Sequence, residues 1–201
     1  MINLTRGVTN PRHWISLNKE FRKDVQMWLL FLSNWNGVSL FLPPFPPPSP
    51  DIHLFTDAAG SLGYGAYLSP HWFQGKWQPS HELNPSTGIS ITWMELFPIY
   101  FACMVWAPLW KNQRICFHCD YAAAVHILNA KSSKCPRIMN LVRLITLQTM
   151  THNFTFTAKH VPGIDNGIAD SLSRFQMSQF RLLAPGASHS PFPVPPFLMK
   201  V

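Results

Sequence analysis

A run of prolines divides this chain and limits what each part of it can fold into. Residues 43–50 read PPFPPPSP, with six prolines in eight positions. Because proline fixes φ and has no backbone N–H, this segment is expected to be an extended, polyproline-type linker. Residues 177–201 contain further prolines and are expected to form a disordered tail. The sequence thus predicts one folded unit, residues 51–176, preceded by a separate segment, residues 1–42.

The segment before the linker has the pattern of a single amphipathic helix. Apolar residues recur there at helical spacing at Leu17, Phe21, Val25, Trp28 and Leu32. Ser16 is a candidate N-cap for this helix. Since one amphipathic helix cannot bury its own apolar face, residues 1–42 are expected to pack on the main unit or on a partner. The apolar run from Met27 to Leu42 is too short and too interrupted to span a membrane, so no membrane partner is expected.

Within residues 51–176, short apolar runs alternate with longer helical patterns. Three runs separated by glycine and proline predict a β-meander at residues 52–58, 64–69 and 71–78. A helix, a strand, two helices, a strand and a short helix are then predicted at residues 91–106, 114–120, 121–130, 136–152, 153–161 and 166–174. This order predicts an α/β fold with a five-stranded mixed sheet, a three-strand antiparallel meander plus two parallel strands, flanked by helices.

Acidic residues are scarce, which makes their positions informative. The chain has 9 Asp and Glu against 16 Lys and Arg, and its pI near 9.5 favours a polyanionic partner such as nucleic acid, although a basic membrane-facing or merely soluble surface fits too. Asp57 and Asp120 close two predicted strands, where open α/β sheets gather their ligands. Glu95 lies near the start of the first long helix and Asp170 in the last one. Four converging carboxylates repel each other unless cations are present, and Mg²⁺ prefers oxygen ligands.

These motifs together resemble the ribonuclease H domain of retroelement reverse transcriptases, most of all the version in DIRS-type retrotransposons. The resemblance is carried by TDAAGSLGYGAYLS, the helix with Glu95, FHCD and KHVPGIDNGIADSLSR, and it covers roughly residues 51–176. The preceding HWISLNKEFRKDVQMWLLFLSNWNGVSLF resembles the segment that links the polymerase to ribonuclease H in those polyproteins. A ribonuclease H-like fold is therefore expected.

The resemblance implies an endonuclease that hydrolyses the RNA strand of RNA·DNA hybrids with two Mg²⁺ ions, for which Mn²⁺ can substitute. The implied metal ligands are Asp57, Glu95, Asp120 and Asp170. His160 matches a mobile-loop histidine that assists proton transfer or product departure, and Asn166 matches the asparagine that follows this loop. A reverse transcriptase polymerase domain is an implied partner beside the hybrid itself.

Further substrate contacts are expected outside the carboxylates. Tyr121 stands where family members commonly have asparagine, which predicts an altered contact with the hybrid. Lys131, Lys134 and Arg137 lie in one short connection between helices, where they could grip the nucleic-acid backbone or form an ordinary solvated loop.

Each of these features also has an ordinary structural interpretation. Thr92 to Glu95 fits a capping box, and Asp57 could simply begin a turn. Cys116 and Cys119 invite a zinc hypothesis, but residues three apart on a strand point to opposite faces, so two packed thiols are expected instead. The same alternation predicts that Cys116, His118 and Asp120 share a face.

Two other function classes compete with the nuclease. One is a catalytically silent, nucleic-acid-binding relic of the same domain; the other is a transposase or integrase of the same superfamily, which usually needs three acids and lacks the H-x-P-G loop. Four irregularly spaced cysteines and the lack of a secretory leader predict an intracellular protein, cytoplasmic or nuclear.

Overall fold

Fourteen short elements build the fold in the computed structural model, which describes residues 7–35, 37, 52–81, 83 and 89–193. The strands are β1 Ile52–Ala59, β2 Gly63–Leu68, β3 His71–Lys76, β4 Arg114–Cys119 and β5 Thr155–His160. The helices are α1 Lys19–Ser33, α2 Ile91–Trp106, α3 Ala122–Ala130, α4 Pro136–His152, α5 Gly167–Ser173 and α6 Met177–Leu183, with 3₁₀ turns at Pro79–His81, Ala107–Trp110 and Gly163–Asn166. The predicted linker, residues 43–50, lies outside the described residues.

The five strands form one mixed sheet in the order β3-β2-β1-β4-β5. β1, β2 and β3 pair antiparallel, as the predicted meander requires, whereas β1, β4 and β5 pair in parallel. This is the α/β, ribonuclease H-like architecture expected from the sequence. Because parallel strands end at the same edge of a sheet, the chain leaves β4 and β5 beside the end of β1.

The main core lies between one face of the sheet and the helices α2 and α4. Side chains from β1 and β4 that point to this face, among them Leu54, Ile115 and Phe117, are fully buried. Residues 91–110, which contain α2, are long and apolar enough to cross a membrane by length and composition alone. However, 72% of that apolar window is buried inside the fold, as expected for a central core helix.

The opposite face of the sheet is covered by α5, which approaches β2 at a glycine. A Cβ added to Gly65 would lie 2.4 Å from the Cβ of Leu172, closer than two side chains can pack. Gly65 is also the direct partner of Asp57 in the β1–β2 ladder. The missing side chain therefore lets α5 lie flat on the sheet next to Asp57.

The expectation of a disordered tail from residue 177 is wrong for residues 177–193. α6 packs its fully buried Phe180 against Trp72 and Leu172, in a second small core. The chain then runs beside β3, where the Phe192 N–H donates to the carbonyl of Trp72 at 2.7 Å. The prolines of this region favoured a disordered tail, but the apolar residues of α6 pack on Trp72 and Leu172 and hold the segment in place. Residues 194–201 lie outside the described residues.

Both outer strands of the sheet are partly covered. At the start of β3, the N–H of Ser188 donates to the carbonyl of Pro70 at 2.8 Å, and the N–H of Phe192 donates to the carbonyl of Trp72 two residues later. Along β5, the side-chain amide of Asn129 both accepts from the N–H of Ala158 and donates to its carbonyl, each at 2.9 Å. A side chain thus imitates a neighbouring strand at that position.

Helix α1 begins after Asn18, not at the expected cap Ser16. The Asn18 side chain accepts from the N–H of Phe21 at 2.8 Å. α1 packs on α4, and Arg143 of α4 reaches across to it: Nη1 lies 2.8 Å from a Glu20 oxygen and Nε 2.7 Å from Asp24. Along α1, which the structure describes in full, no residue is buried.

Replacing Arg143 by methionine is expected to lower the free energy of unfolding by about 1–2 kcal/mol. The arginine is buried while both of its carboxylate partners are half-exposed, so the freed acids can regain water and the loss stays moderate. Urea denaturation would measure it, with Arg22→Met on exposed α1 surface as the control. Equal destabilisation by the two changes would mean that the ion pairs do not hold α1.

Candidate active site

Two parallel strands bring Asp57 and Asp120 to the same edge of the sheet. Asp57 lies near the end of β1 and is 5% exposed; Asp120 directly follows β4. The two strands pair from Ile52 with Ile115 to Phe55 with His118, so the residues that follow these pairs lie side by side. The predicted juxtaposition of the two strand ends is thus present.

Glu95 joins this pair from α2. The helix is capped by Ser90, whose hydroxyl accepts from the N–H of Trp93 at 3.3 Å, so the alternative interpretation of Thr92 to Glu95 as a capping box does not hold. Glu95 is the fifth residue of the helix and is 7% exposed. One ligand atom each from Glu95, Cys119 and Asp120 lie within 4.8 Å of one another.

Asp170 reaches the same place from α5. Its carboxylate accepts from Nε of Arg174, one turn later, at 2.6 Å. Ser173 of the same helix donates its hydroxyl hydrogen to the Asp57 carboxylate, which ties α5 directly to β1. α5 has only seven residues and no side-chain cap, and it lies flat against the sheet at Gly65. This position places Asp170 and Ser173 next to Asp57.

Asp57 and Glu95 are both affected by burial and by the charge of Asp120. Burial raises the pKa of Asp57 to about 6; the Ser173 hydroxyl opposes this rise, and the charges of Asp120 and Asp170 add to it. Burial raises the pKa of Glu95 to about 8, and the charges of Asp57 and Asp120 add to it. Buried like charges that perturb one another in this way are typical of functional sites and favour a bound cation.

The loop after β5 lies over Asp120. His160 is exposed, with Nε2 3.0 Å from the backbone carbonyl of Asp120, and Gly163 lies close enough that an added Cβ would be 3.5 Å from Oδ2 of Asp120. Asn166 is 1% exposed and donates from its side-chain amide to the carbonyl of Thr56 at 3.0 Å. Asn166 therefore anchors the loop to β1 and does not face solvent, where a substrate contact was expected.

Two of the three expected basic residues lie over aromatic rings. Lys131 follows α3, whose nine residues span about 13 Å, and its amine lies 5.5 Å from the ring centre of Phe156. Lys134 is exposed in the same connection, whereas Arg137 belongs to α4 and not to the connection, and its guanidinium carbon lies 5.4 Å from the ring centre of Trp93. Tyr121 is half-buried directly beside Asp120. Of these four residues, Tyr121 lies at the site, because it directly follows Asp120 in the chain.

The prediction for the cysteine strand is half right. Cys116 and Cys119 lie on opposite faces: Cys119 belongs to the main core beside Glu95, whereas Cys116 lies with His53 and His118. Asp120, however, groups with Cys119 and Glu95 and not with Cys116 and His118. The alternation fails there because Asp120 lies one residue beyond the end of β4.

Ser173 and Arg174 are the site residues that sequence reasoning missed. The spacing of Asp170 and Arg174 is that of a helical ion pair and could have indicated their contact. The hydroxyl of Ser173 gave no such signal, because its partner Asp57 is 116 residues away. No protein-family model and no curated protein matches the chain.

Proposed function

We propose that this chain is a metal-dependent ribonuclease H that hydrolyses the RNA strand of RNA·DNA hybrids. The observation that carries this proposal is geometric: the β1–β4 register sets Asp57 beside Asp120, Glu95 comes within 4.8 Å of Asp120 from α2, and the hydrogen bond of Ser173 to Asp57 ties the helix of Asp170 to β1. The ribonuclease H-like sheet supports it, as does the resemblance to reverse transcriptases of DIRS-type retrotransposons.

The donor set fits hard divalent cations. Carboxylate oxygens are the ligands that Mg²⁺ and Mn²⁺ prefer, and two of the four acids are almost completely buried, so their charges need compensation. Asp57, Glu95, Asp120 and Asp170 would hold the ions. When bound, such a pair of ions supplies Lewis acidity at the attacking and leaving oxygens of a phosphodiester.

The residues around the carboxylates position them. Ser173 orients Asp57 by its hydrogen bond, and Asn166 anchors to β1 the loop that follows His160, which is itself the last residue of β5 and not part of the loop as the resemblance implied. Arg174 holds Asp170 in the absence of metal and lies close enough to lower the pKa of Asp57 and of Asp120. The guanidinium thus partly offsets the negative charge of the site until cations bind.

His160 is suited to move a proton at the edge of the site. It is exposed and lies next to Asp120, and histidine is the side chain that most often acts as general acid or base in enzymes. Replacing His160 by alanine is expected to lower kcat by about 10²–10⁴-fold and to leave KM nearly unchanged. Steady-state cleavage of a labelled hybrid would measure both, with His126→Ala on exposed α3 surface as the control. A rise in KM with unchanged kcat would assign His160 to binding instead.

Hybrid cleavage with defined products tests the function itself. Purified protein is incubated with a hybrid labelled on its RNA strand, together with Mg²⁺, Mn²⁺ or a chelator. The expected result is metal-dependent cutting of the RNA strand to products with 5′ phosphates, with single-stranded RNA and duplex DNA left intact. Equal cutting of all substrates would indicate a contaminating or less specific nuclease.

The ion pair of Asp170 with Arg174 favours a second candidate, a silent relic that binds nucleic acid without cutting it. Arg174 engages the carboxylate of Asp170 at 2.6 Å, so one of the four acids already has a cationic partner. The net charge of +7 supports binding to a polyanion. Hybrid binding that weakens steeply with salt, without turnover in either metal, would identify this alternative.

A polymerase-type domain remains a proposed partner. Apolar side chains on α1 stay about half-exposed, at Val25, Trp28, Leu29, Leu30 and Leu32. This is the segment that resembles the connection to a polymerase, and such a domain would cover these side chains. The four cysteines are all free, which supports the proposed intracellular location.

A further inference from the structure

A second group of metal-ligand side chains lies on the sheet face opposite the main core. His53 is the ladder partner of Cys116 in the parallel pairing of β1 with β4, and His118 follows Cys116 by two residues on the same face. One ligand atom from each of the three lies within 4.8 Å of the others. The sheet register alone therefore brings two imidazoles and one thiol together.

The spacing fits a small tetrahedral ion. Zinc–nitrogen bonds of about 2.0 Å and zinc–sulfur bonds of about 2.3 Å require ligand atoms roughly 3.3–3.7 Å apart. Nδ1 of His53 and Nε2 of His118 are now 2.9 Å apart, a hydrogen-bond distance, so the rings would separate by a few tenths of an ångström on binding. His53 is exposed and leaves a route for an ion from solvent.

The surroundings hold the ligands in place. The ring of Phe55 stacks on His118, with centroids 4.4 Å apart and planes within 11°. The other ring nitrogen of His118, Nδ1, is buried, and no hydrogen bond from a described residue reaches it. An ion held at Nε2, the nitrogen that faces His53, would leave Nδ1 as the N–H of the ring, so Nδ1 itself does not contact the ion.

The chemistry of the ligands selects the class of ion. Two imidazole nitrogens and a thiolate suit Zn²⁺ and similar transition metals, whereas Mg²⁺ prefers the oxygens of the other cluster. Lys159 is exposed on β5 and is the ladder partner of His118, so its positive charge disfavours a cation at this site. The negative charge of the thiolate, which forms when the metal binds, offsets the charge of Lys159. His53 lies four residues before Asp57, about 13 Å along β1, so the two clusters are separate.

We propose that His53, Cys116 and His118 bind one Zn²⁺-type transition-metal ion, with a fourth coordination position open to solvent. Since His53 belongs to β1 and the other two residues to β4, the ion joins the two strands that carry Asp57 and Asp120. Binding requires no nuclease activity, so this site stands independently of the proposed function.

Cobalt substitution distinguishes this site from the carboxylate cluster, which also contains a thiol. Titration of the full chain with Co²⁺ is expected to give one equivalent with a thiolate-to-cobalt absorption band, removed by Zn²⁺ but not by Mg²⁺. Cys116→Ser should lose this band, whereas Cys119→Ser, its matched control three residues away, should keep it. The reverse pattern would place the ion beside Glu95 and Asp120 and overturn the proposal.

A second variant avoids changing a buried residue. His53→Gln alters an exposed side chain and is expected to weaken Zn²⁺ binding by about 10–100-fold, measured by competition with a coloured chelator. His126→Gln, another exposed histidine, should bind as the unchanged protein does. Unchanged affinity in His53→Gln, or no saturable Zn²⁺ binding in the parent chain, would refute the site.

Discussion

Replacing Asp57 by asparagine is expected to reduce hybrid cleavage by about 10³-fold while leaving the metal-free protein as stable as before, or more so. Asparagine has the same shape and can still accept the hydrogen bond from Ser173. It removes one charge from a buried site where burial and the charges of Asp120 and Asp170 raise the pKa of Asp57 to about 6. Function and stability therefore change in opposite directions, which a merely structural residue would not produce.

Cleavage rates in saturating Mg²⁺ and thermal unfolding in chelator would measure the two effects. Asp165→Asn is the matched control, because Asp165 is an exposed acid on the neighbouring 3₁₀ turn and points to no partner in the cluster. It should leave both the rate and the unfolding temperature unchanged. An active Asp57→Asn protein would remove the basis for the nuclease, and a strongly destabilised one would make Asp57 a structural residue.

Without divalent metal, the protein is expected to lose stability as the pH rises from about 4 to about 8. In the unfolded chain Asp57 and Glu95 ionise near 3.8 and 4.5, whereas in the folded protein their pKa values are about 6 and about 8. Between these values the folded state binds more protons than the unfolded state, so each step up in pH favours unfolding. At about 1.4 kcal/mol for each unit of pKa shift, the two groups together account for a loss on the order of 7 kcal/mol, a large part of the stability of a typical domain.

Magnesium is expected to offset part of this loss. At 100 times its Kd, a bound ion adds about 2.7 kcal/mol, or roughly 5–10 °C in Tm for a chain of this size. Thermal unfolding from pH 5 to pH 8, with and without Mg²⁺, would measure the effect, and NaCl of equal ionic strength would account for general screening. The Asp57→Asn, Glu95→Gln double variant should show a flatter pH profile and little response to Mg²⁺. An equally steep profile in that variant would place the titrating groups elsewhere.

The strands and the positions of Asp57, Glu95 and Asp120 could be predicted because each lies in a strongly patterned segment. β1 is a short apolar run with Asp57 near its end, Asp120 directly follows the apolar run of β4, and α2 is apolar over most of its length. Such patterns depend on neighbours along the chain. The hydrogen bond from Ser173 to Asp57 depends on how α5 rests on Gly65, which no local pattern encodes.

Other contacts were not predicted because local sequence favoured a different structure. The prolines near the C-terminus favoured disorder where Phe180 packs, and the residues from Thr92 to Glu95 fit a capping box although Ser90 is the cap. The proximity of Cys116 and His53 could be predicted only from the register of β1 against β4, and residue spacing along one strand does not give that register.

The covering of both outer strands also bears on where this protein can be cut into a working fragment. The boundary at residue 176, drawn from proline content, would remove Phe180 and the chain that hydrogen-bonds to Pro70 and Trp72. The carbonyls of Pro70 and Trp72 would then lose their donors, and the edge of β3 would be open for a second molecule to add a strand. A fragment that ends at residue 176 and keeps every carboxylate is thus expected to self-associate, so weak hybrid cleavage by such a fragment would not by itself show damaged chemistry.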